Sequence, residues 1–269
     1  MGNRKLYLFF VANFLCLLGA IGCGQKGNGQ SSGSTSEEGA APAGPVLTLD
    51  PATTGTITGA VMLQGAPPTI GPIDMGAAPP CLKLNETRVV PPVVVTGPGG
   101  SLANVVVYLK SGVGNYKFET PTEPVSLEQH GCMYVPRVVA LMTNQQLEVQ
   151  NNDPVLHNVR PVLKDNKSWN QSQTVGGPPI MASFAKPEFA AHILCNVHPW
   201  MRSYLFVFNN PYYAVTSTTG TFELKNVPPG TYTIEAWQEK YGTQDQTVTV
   251  GPKQSKAVSF QFKAGPAGA

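Results

Sequence analysis

The side chains best suited to chemistry lie in one short stretch of the sequence. Cys195, His198 and Met201 bring a thiolate, an imidazole and a thioether together, and His157, further upstream, offers a second imidazole. Two histidines, one cysteine and a weakly held axial methionine are the ligands of a mononuclear blue-copper electron-transfer site. The sequence therefore predicts one type 1 copper site, with Met201 on its axis.

The spacing of these residues says which elements must position them. Cys195 is expected to end a strand, while His198 and Met201 lie on the loop that follows and curls around one ion. Pro199 restricts the freedom of that loop. A second strand has to supply His157, because one loop cannot provide all four ligands.

Other metal sites do not fit the pattern. A c-type haem needs Cys-x-x-Cys-His, and His198 stands where the second Cys would be. Structural zinc sites usually bring paired Cys-x-x-Cys motifs, which the sequence lacks. A binuclear copper centre needs a second Cys in the loop. A multicopper oxidase needs further His-x-His pairs, and the chain has only four histidines.

The rest of the folded part alternates between apolar and polar residues. Short runs such as 221–224, 230–237 and 258–262 show the period of two that a half-buried antiparallel strand requires. Turn residues separate them, a pattern typical of sandwiches or barrels. The 18 basic and 16 acidic residues form no basic run, which argues against a nucleic-acid partner. No Ser/His/Asp or paired-carboxylate arrangement stands out, so we do not expect an enzyme.

The beginning of the chain resembles an export signal. Residues 1–22 combine a basic start, an apolar run and small residues before Cys23. A transmembrane anchor is the alternative, but the run is short for a span. Cys23 in this position resembles the lipidated cysteine of bacterial lipoproteins. Residues 23–50 are rich in Gly, Ser, Ala and Pro, and are predicted to be a flexible tether.

The middle of the chain resembles the cupredoxins, most closely their amicyanin-like members. Residues 147–153 leading to His157-Asn158, together with Cys195-x-x-His198-Pro199-Trp200-Met201, carry this resemblance. It implies a Greek-key β-sandwich over residues 118–211. It also implies that Asn158 ties the two ligand loops together, that a backbone N–H donates to the Cys195 sulfur, and that His198 is the exposed ligand through which electrons leave. Pro199-Trp200 beside it is expected to be either core or an apolar docking surface.

Two flanking segments resemble a different family. The runs 55–61 and 220–236 are similar to the carboxypeptidase regulatory-like, or prealbumin-like, β-sandwich domain. The predicted class is therefore all-β, with a copper domain inserted between the halves of this sandwich, 51–117 and 212–265. In that family the domain is usually structural or adhesive.

Cys81 and Cys132 remain after the other cysteines are assigned. In an exported protein a disulfide between them is the default. Two buried free thiols, or a second weak metal site, are the alternatives.

The leading functional hypothesis is a lipid-anchored periplasmic or cell-surface copper protein. It would pass single electrons between redox partners such as a c-type cytochrome or a membrane electron-transfer complex. One alternative is a structural sandwich that binds carbohydrate or protein through exposed aromatic residues (Tyr212, Tyr213, Trp237 and Tyr241). Copper delivery or storage from a labile site is another.

Overall fold

The computed structural model describes residues 46–265. The predicted signal, the predicted lipidation site Cys23 and most of the predicted tether lie outside these residues. Within 46–265, no helix has the length and apolar character needed to cross a bilayer. Leu47, at the end of the predicted tether, forms a β-bridge with Tyr116.

The described residues fold almost entirely into strands. One α-helix, α1 (Pro79–Leu84), and one 3-10 turn (Pro98–Gly100) accompany them in this part of the chain. The strands are β1 (Gly55–Gln64), β2 (Val106–Ser111), β3 (Val125–His130), β4 (Met133–Val135), β5 (Val138–Met142), β6 (Leu147–Asn151), β7 (His157–Val162), β8 (Gln171–Gln173), β9 (Ile180–Ala182), β10 (Glu188–Leu194), β11 (Arg202–Phe208), β12 (Tyr213–Val215), β13 (Thr221–Val227), β14 (Gly230–Gln238), β15 (Gly242–Val250) and β16 (Ser255–Lys263).

The first sandwich is built from the two ends of the folded chain. Its sheets have the strand orders β13-β1-β16 and β12-β2-β14-β15. Alternate residues of the predicted strands face one apolar core, which includes Ile57, Phe222, Leu224, Ile234 and Phe260. The period-two pattern in the sequence therefore identifies the buried face of each strand.

The second sandwich lies between these ends in sequence. Its sheets have the orders β4-β3-β6-β9 and β5-β11-β10-β7-β8. The β3–β6 and β5–β11 pairs are parallel, so the chain crosses between sheets rather than running as a simple meander. Leu127, Val149, Ile193 and Leu205 belong to its core. The central strands of the five-stranded sheet, β10 and β11, flank the loop that carries three of the predicted ligands.

An aromatic layer joins the two sandwiches. Its buried members are the aromatic residues Tyr108, Tyr204, Phe206, Phe208 and Trp237, together with Val106 and Val138. At its margin, Arg137 and Glu239 form a buried ion pair with an N–O distance of 2.5 Å. Aromatic packing and a paired charge both favour one fixed arrangement of the two sandwiches.

The segment before β2 contacts both cores. Met75 and Cys81, from the stretch that the sequence assigns to the first sandwich, pack into the core of the second. The predicted domain boundary at residue 117 stays a prediction. Helix α1 therefore packs on the second sandwich, through Cys81.

Candidate metal centre

Two neighbouring strands position the predicted ligands. Strand β7 begins at His157, and Cys195 directly follows the last residue of β10. These strands are antiparallel, and Leu194 pairs with Arg160. The start of β7 and the end of β10 therefore lie at the same end of the sheet. Ile193 and Cys195 are both buried, as the strand alternation predicts.

Three candidate ligand atoms converge at this end of the sheet. The Nδ1 atoms of His157 and His198 are 2.9 Å apart. Together with the Cys195 sulfur, one ligand atom from each residue lies within 4.8 Å of the others. Met201 is fully buried in the same core, and its N–H donates to the His198 carbonyl at 3.0 Å. This backbone bond closes the loop into a turn that brings Met201 back to the core.

The two ligand segments are tied together by Asn158. Its side-chain oxygen accepts a hydrogen bond from the Asn196 N–H at 3.2 Å. The Tyr134 hydroxyl, which is buried, donates to the carbonyls of Asn158 and Leu194 at 2.5 and 3.2 Å. The N–H of His198 donates to the Cys195 sulfur at 3.4 Å. The resemblance implies the contacts of Asn158 and of the Cys195 sulfur, but not those of Tyr134. Together these hydrogen bonds hold the ligand segments in place without a metal.

We expect Tyr134→Phe to destabilise the metal-free chain by about 1–2 kcal/mol, because two buried carbonyls lose their donor. Chemical denaturation monitored by fluorescence measures this. Tyr116→Phe, a half-buried tyrosine of the other sandwich, is the matched control and should have a smaller effect. Equal losses in the two variants would mean that the Tyr134 hydroxyl does not brace the ligand segments.

Asp153 fixes the orientation of His157. Its carboxylate accepts hydrogen bonds from His157 Nε2 at 2.8 Å and from the N–H groups of Gly131 and Cys132 at 2.7 and 2.8 Å. Burial alone would raise the pKa of Asp153, but these donors lower it. Because Nε2 faces the carboxylate, Nδ1 is left to face Cys195 and His198. Asp153 is not among the site residues predicted from the sequence; its position four residues before a candidate ligand histidine is the signal that identifies it.

The surroundings of Cys195 favour its thiolate form. Burial raises the pKa of a thiol, but the hydrogen bond with His157 and the backbone N–H groups of His198, Val197 and Asn158 lower the pKa of Cys195 overall. A thiolate is the form that binds metals. The site therefore stabilises the negative charge that a positive ion would balance.

The structure corrects one expectation about His198. The resemblance implies an exposed imidazole, yet His198 is only 5% exposed. Cys81, in α1, covers the ring, and its sulfur lies 3.2 Å from His198 Nε2. The cover comes from a residue remote in sequence, so the ligand loop gives no sign of it. Pro199 is exposed and Trp200 is half-buried, so the docking surface expected at these two residues stays a prediction.

A disulfide between Cys81 and Cys132 belongs to this cover. Its S–S distance is 2.11 Å, and both cysteines are fully buried. Trp200 Nε1 donates to the Cys132 carbonyl at 3.0 Å, and the Trp200 ring centroid lies 5.2 Å from that of His198. We call α1, the disulfide and Trp200 together the cap of the site.

The donor set fits copper. Two imidazole nitrogens suit copper(II), while a thiolate and a thioether suit copper(I). Cysteine and histidine alone would also suit zinc, but a thioether is not among the usual zinc ligands. His157, Cys195 and His198 would hold the ion, with Met201 as the buried axial candidate.

The remaining residues considered from the sequence lie away from this centre. His192 is half-buried and packs on Tyr204 at a centroid distance of 4.8 Å, on the face of β10 opposite Cys195. His130 is exposed. The aromatic residues considered for carbohydrate contact are not exposed: Tyr212 and Trp237 are buried, and Tyr213 and Tyr241 are half-buried. That expectation is wrong, because these rings pack in the first core and the aromatic layer.

Comparison with known proteins gives one family match and several structural ones. The carboxypeptidase regulatory-like domain model matches residues 206–263. No curated protein sequence matches the chain. A copper-containing nitrite reductase from Thermus scotoductus SA-01 is 18% identical over 33% of this chain and 23% of its own, with a TM-score of 0.30. This chain therefore spans less than a quarter of that enzyme.

Two smaller proteins are matched over nearly their whole length. A purple cupredoxin from Nitrosopumilus maritimus is 17% identical over 30% of this chain and 97% of its own, with a TM-score of 0.26. A reduced amicyanin variant is 14% identical over 39% of this chain and 98% of its own, with a TM-score of 0.29. The predicted all-β class is confirmed: the described residues form four sheets packed as two sandwiches, and residues 206–263 match the carboxypeptidase regulatory-like domain model.

Proposed function

We propose that this chain is a type 1 copper protein that carries single electrons between redox partners. One observation carries the proposal: one ligand atom from each of His157, Cys195 and His198 lies within 4.8 Å of the other two, the two Nδ1 atoms are 2.9 Å apart, and all three residues are buried. A copper ion bound there would supply a one-electron change between two oxidation states. The residues of the site supply a soft and a borderline donor set that serves both states.

Rigidity of the ligands supports an electron carrier. A site that passes electrons quickly should keep its ligands in place when the charge changes. Asp153 fixes the ring of His157, and Asn158 links the two ligand segments. These hydrogen bonds reduce the freedom of the ligands without any metal contact.

The buried, four-donor arrangement also supports a carrier rather than an enzyme. With His157, Cys195, His198 and Met201 all assigned as ligands, no coordination position is left for a substrate. All four are buried among the core residues of the second sandwich. A labile storage or delivery site is less consistent with ligands that are enclosed in this way.

We further propose that the protein works outside the cytoplasm, tethered to a bacterial membrane by a lipid on Cys23. Its partner would be a c-type cytochrome or a membrane electron-transfer complex. Exposed apolar residues adjacent in sequence to the two histidines support a docking face: Leu156, before His157, and Val197, before His198, are each 45% exposed, and Pro199 is exposed too. No nucleic-acid partner is proposed.

Titration of the metal-free, disulfide-bonded chain with copper(II) tests the proposal. We expect one equivalent to bind and to produce an intense visible thiolate-to-copper band, with the narrow copper hyperfine splitting of a blue site in electron paramagnetic resonance. Zinc, which has no redox or d-electron spectrum, should compete for the same equivalent and leave the solution colourless. A pale copper(II) complex at full loading would overturn the proposal.

The carbohydrate-binding alternative has no specific observation in its favour. It depends on an exposed aromatic platform, and the rings assigned to it are buried or half-buried.

A further inference from the structure

A second cluster of metal-binding atoms shares His198 with the first, and its Cys132 sulfur also lies within 4.8 Å of ligand atoms of Asp153 and His157. The sulfurs of Cys81 and Cys132 and one nitrogen of His198 all lie within 4.8 Å of one another. The Cys81 sulfur is 3.2 Å from His198 Nε2, whereas Nδ1 of the same ring faces His157. The imidazole therefore stands between two donor clusters and presents one nitrogen to each.

The two cysteines are held side by side by contacts other than the S–S bond. The Asn85 side-chain amide donates to the Cys81 carbonyl at 2.8 Å and to the Gly131 carbonyl, next to Cys132, at 3.0 Å. Asp153 accepts the Cys132 N–H at 2.8 Å, and Trp200 Nε1 donates to the Cys132 carbonyl. The backbone around both sulfurs is therefore expected to stay in place when the disulfide is reduced.

Reduction changes the chemistry of this cluster. As a disulfide, the two sulfurs are poor ligands. A dithiol reductant would break the S–S bond by exchange, so that two S–H groups form here while the reductant becomes a disulfide. Binding of a metal ion then releases the two thiol protons. Two thiolates and one imidazole, all buried, are a soft donor set that selects copper(I).

We propose that the reduced form of this chain holds a second metal site, for copper(I), formed by Cys81, Cys132 and His198 Nε2. The site exists only in the dithiol state, and it uses the ring nitrogen that the type 1 site leaves free. It does not depend on Cys195. The disulfide that caps the site in the oxidised protein thus becomes a ligand pair on reduction.

The test uses Cys195→Ser, in which the first site lacks its thiolate. This variant is prepared with the disulfide formed and, separately, from a reducing cytosol under anaerobic conditions, where the disulfide does not form. Copper(I) is titrated against a chromophoric chelator. We expect one tightly held equivalent in the dithiol form, accompanied by thiolate-to-copper(I) ultraviolet absorption. The disulfide form should bind copper(I) at least about 100-fold more weakly, because removing even a hydrogen-bond partner of a ligand lowers metal affinity by up to about 100-fold.

Control variants separate the ligands from the rest of the cap. Cys132→Ser in the Cys195→Ser background removes one thiolate and should abolish the tight equivalent, whereas Leu82→Ala, an exposed position of α1, should keep it. Circular dichroism checks the fold of the dithiol form. Equal copper(I) affinity with and without the disulfide would overturn the proposal, and so would an unfolded dithiol form. A missing blue band in the wild-type protein would count against the type 1 site alone.

Discussion

Cys195→Ser is expected to remove the visible copper band completely. Serine keeps nearly the same volume but offers an alcohol, which does not form the thiolate that gives a blue site its colour. We expect the copper(II) affinity to fall by more than about 100-fold, because removing only a hydrogen-bond partner of a ligand already lowers metal affinity by up to about 100-fold. Absorption and electron paramagnetic resonance spectra of the copper-titrated variant measure both effects.

Val197→Ala is the matched control for this experiment. Val197 lies in the same loop and its side chain is 45% exposed, so its truncation should leave the ligands in place. The control is expected to keep the full band. A blue Cys195→Ser protein would mean that another sulfur binds the copper and that the site is wrongly assigned.

A large loss of stability is expected when the link between β7 and β10, at the ends of these strands far from the candidate ligands, is removed. Glu188, at the start of β10, accepts hydrogen bonds from the backbone N–H groups of Lys164, Asp165 and Asn166, at 3.1, 2.8 and 2.8 Å. The Asn166 side chain adds a fourth at 3.1 Å. Glu188 is buried and joins β10 to the loop after β7. We expect Glu188→Ala to lower the free energy of unfolding by about 3 kcal/mol, since a carboxylate hydrogen bond contributes about 1.5–3 kcal/mol and several are lost together.

The Glu188 interaction should also depend on pH. Burial alone would raise the pKa of Glu188, but the N–H donors lower it below the ordinary value of 4.5. Its stabilising contribution is therefore complete above about pH 4.5 and is lost as the pH falls through the lower folded-state pKa. Urea denaturation of the wild type and of Glu188→Gln from pH 7 to pH 3 measures this. The difference between the two proteins should be constant above pH 5 and shrink below pH 4. A difference that does not change with pH would contradict this account.

The strands could be predicted because the apolar side chains that they bury recur at every second residue of the sequence. Phe222 and Leu224, or Val258 and Phe260, repeat at the spacing with which side chains alternate across a sheet. Strands β4 and β5 are separated at Pro136, since proline lacks the N–H that a continuous ladder needs. The short elements β8 and α1 were not predicted, because three to six residues are too few to show a period.

The convergence of the candidate ligands could be expected from the sequence in part, because Cys195, His198 and Met201 are close together in it and only His157 has to come from another strand. That these side chains bind copper stays a prediction. The cap could not be predicted, since Cys81 reaches His198 only through the tertiary fold. The same is true of the ligand-orienting role of Asp153, which depends on the backbone of Gly131 and Cys132 approaching from another strand pair.

The cap has a consequence for how charge would reach the surface. In the proposed copper protein, an electron leaving through His198 would meet either the Cys81–Cys132 sulfur pair or the indole of Trp200, whose centroid is 5.2 Å from the imidazole. Its tunnelling route would then run through residues that do not bind the copper of the type 1 site. Changes in the indole or in α1 could therefore alter exchange rates and partner choice while leaving the coordination sphere untouched.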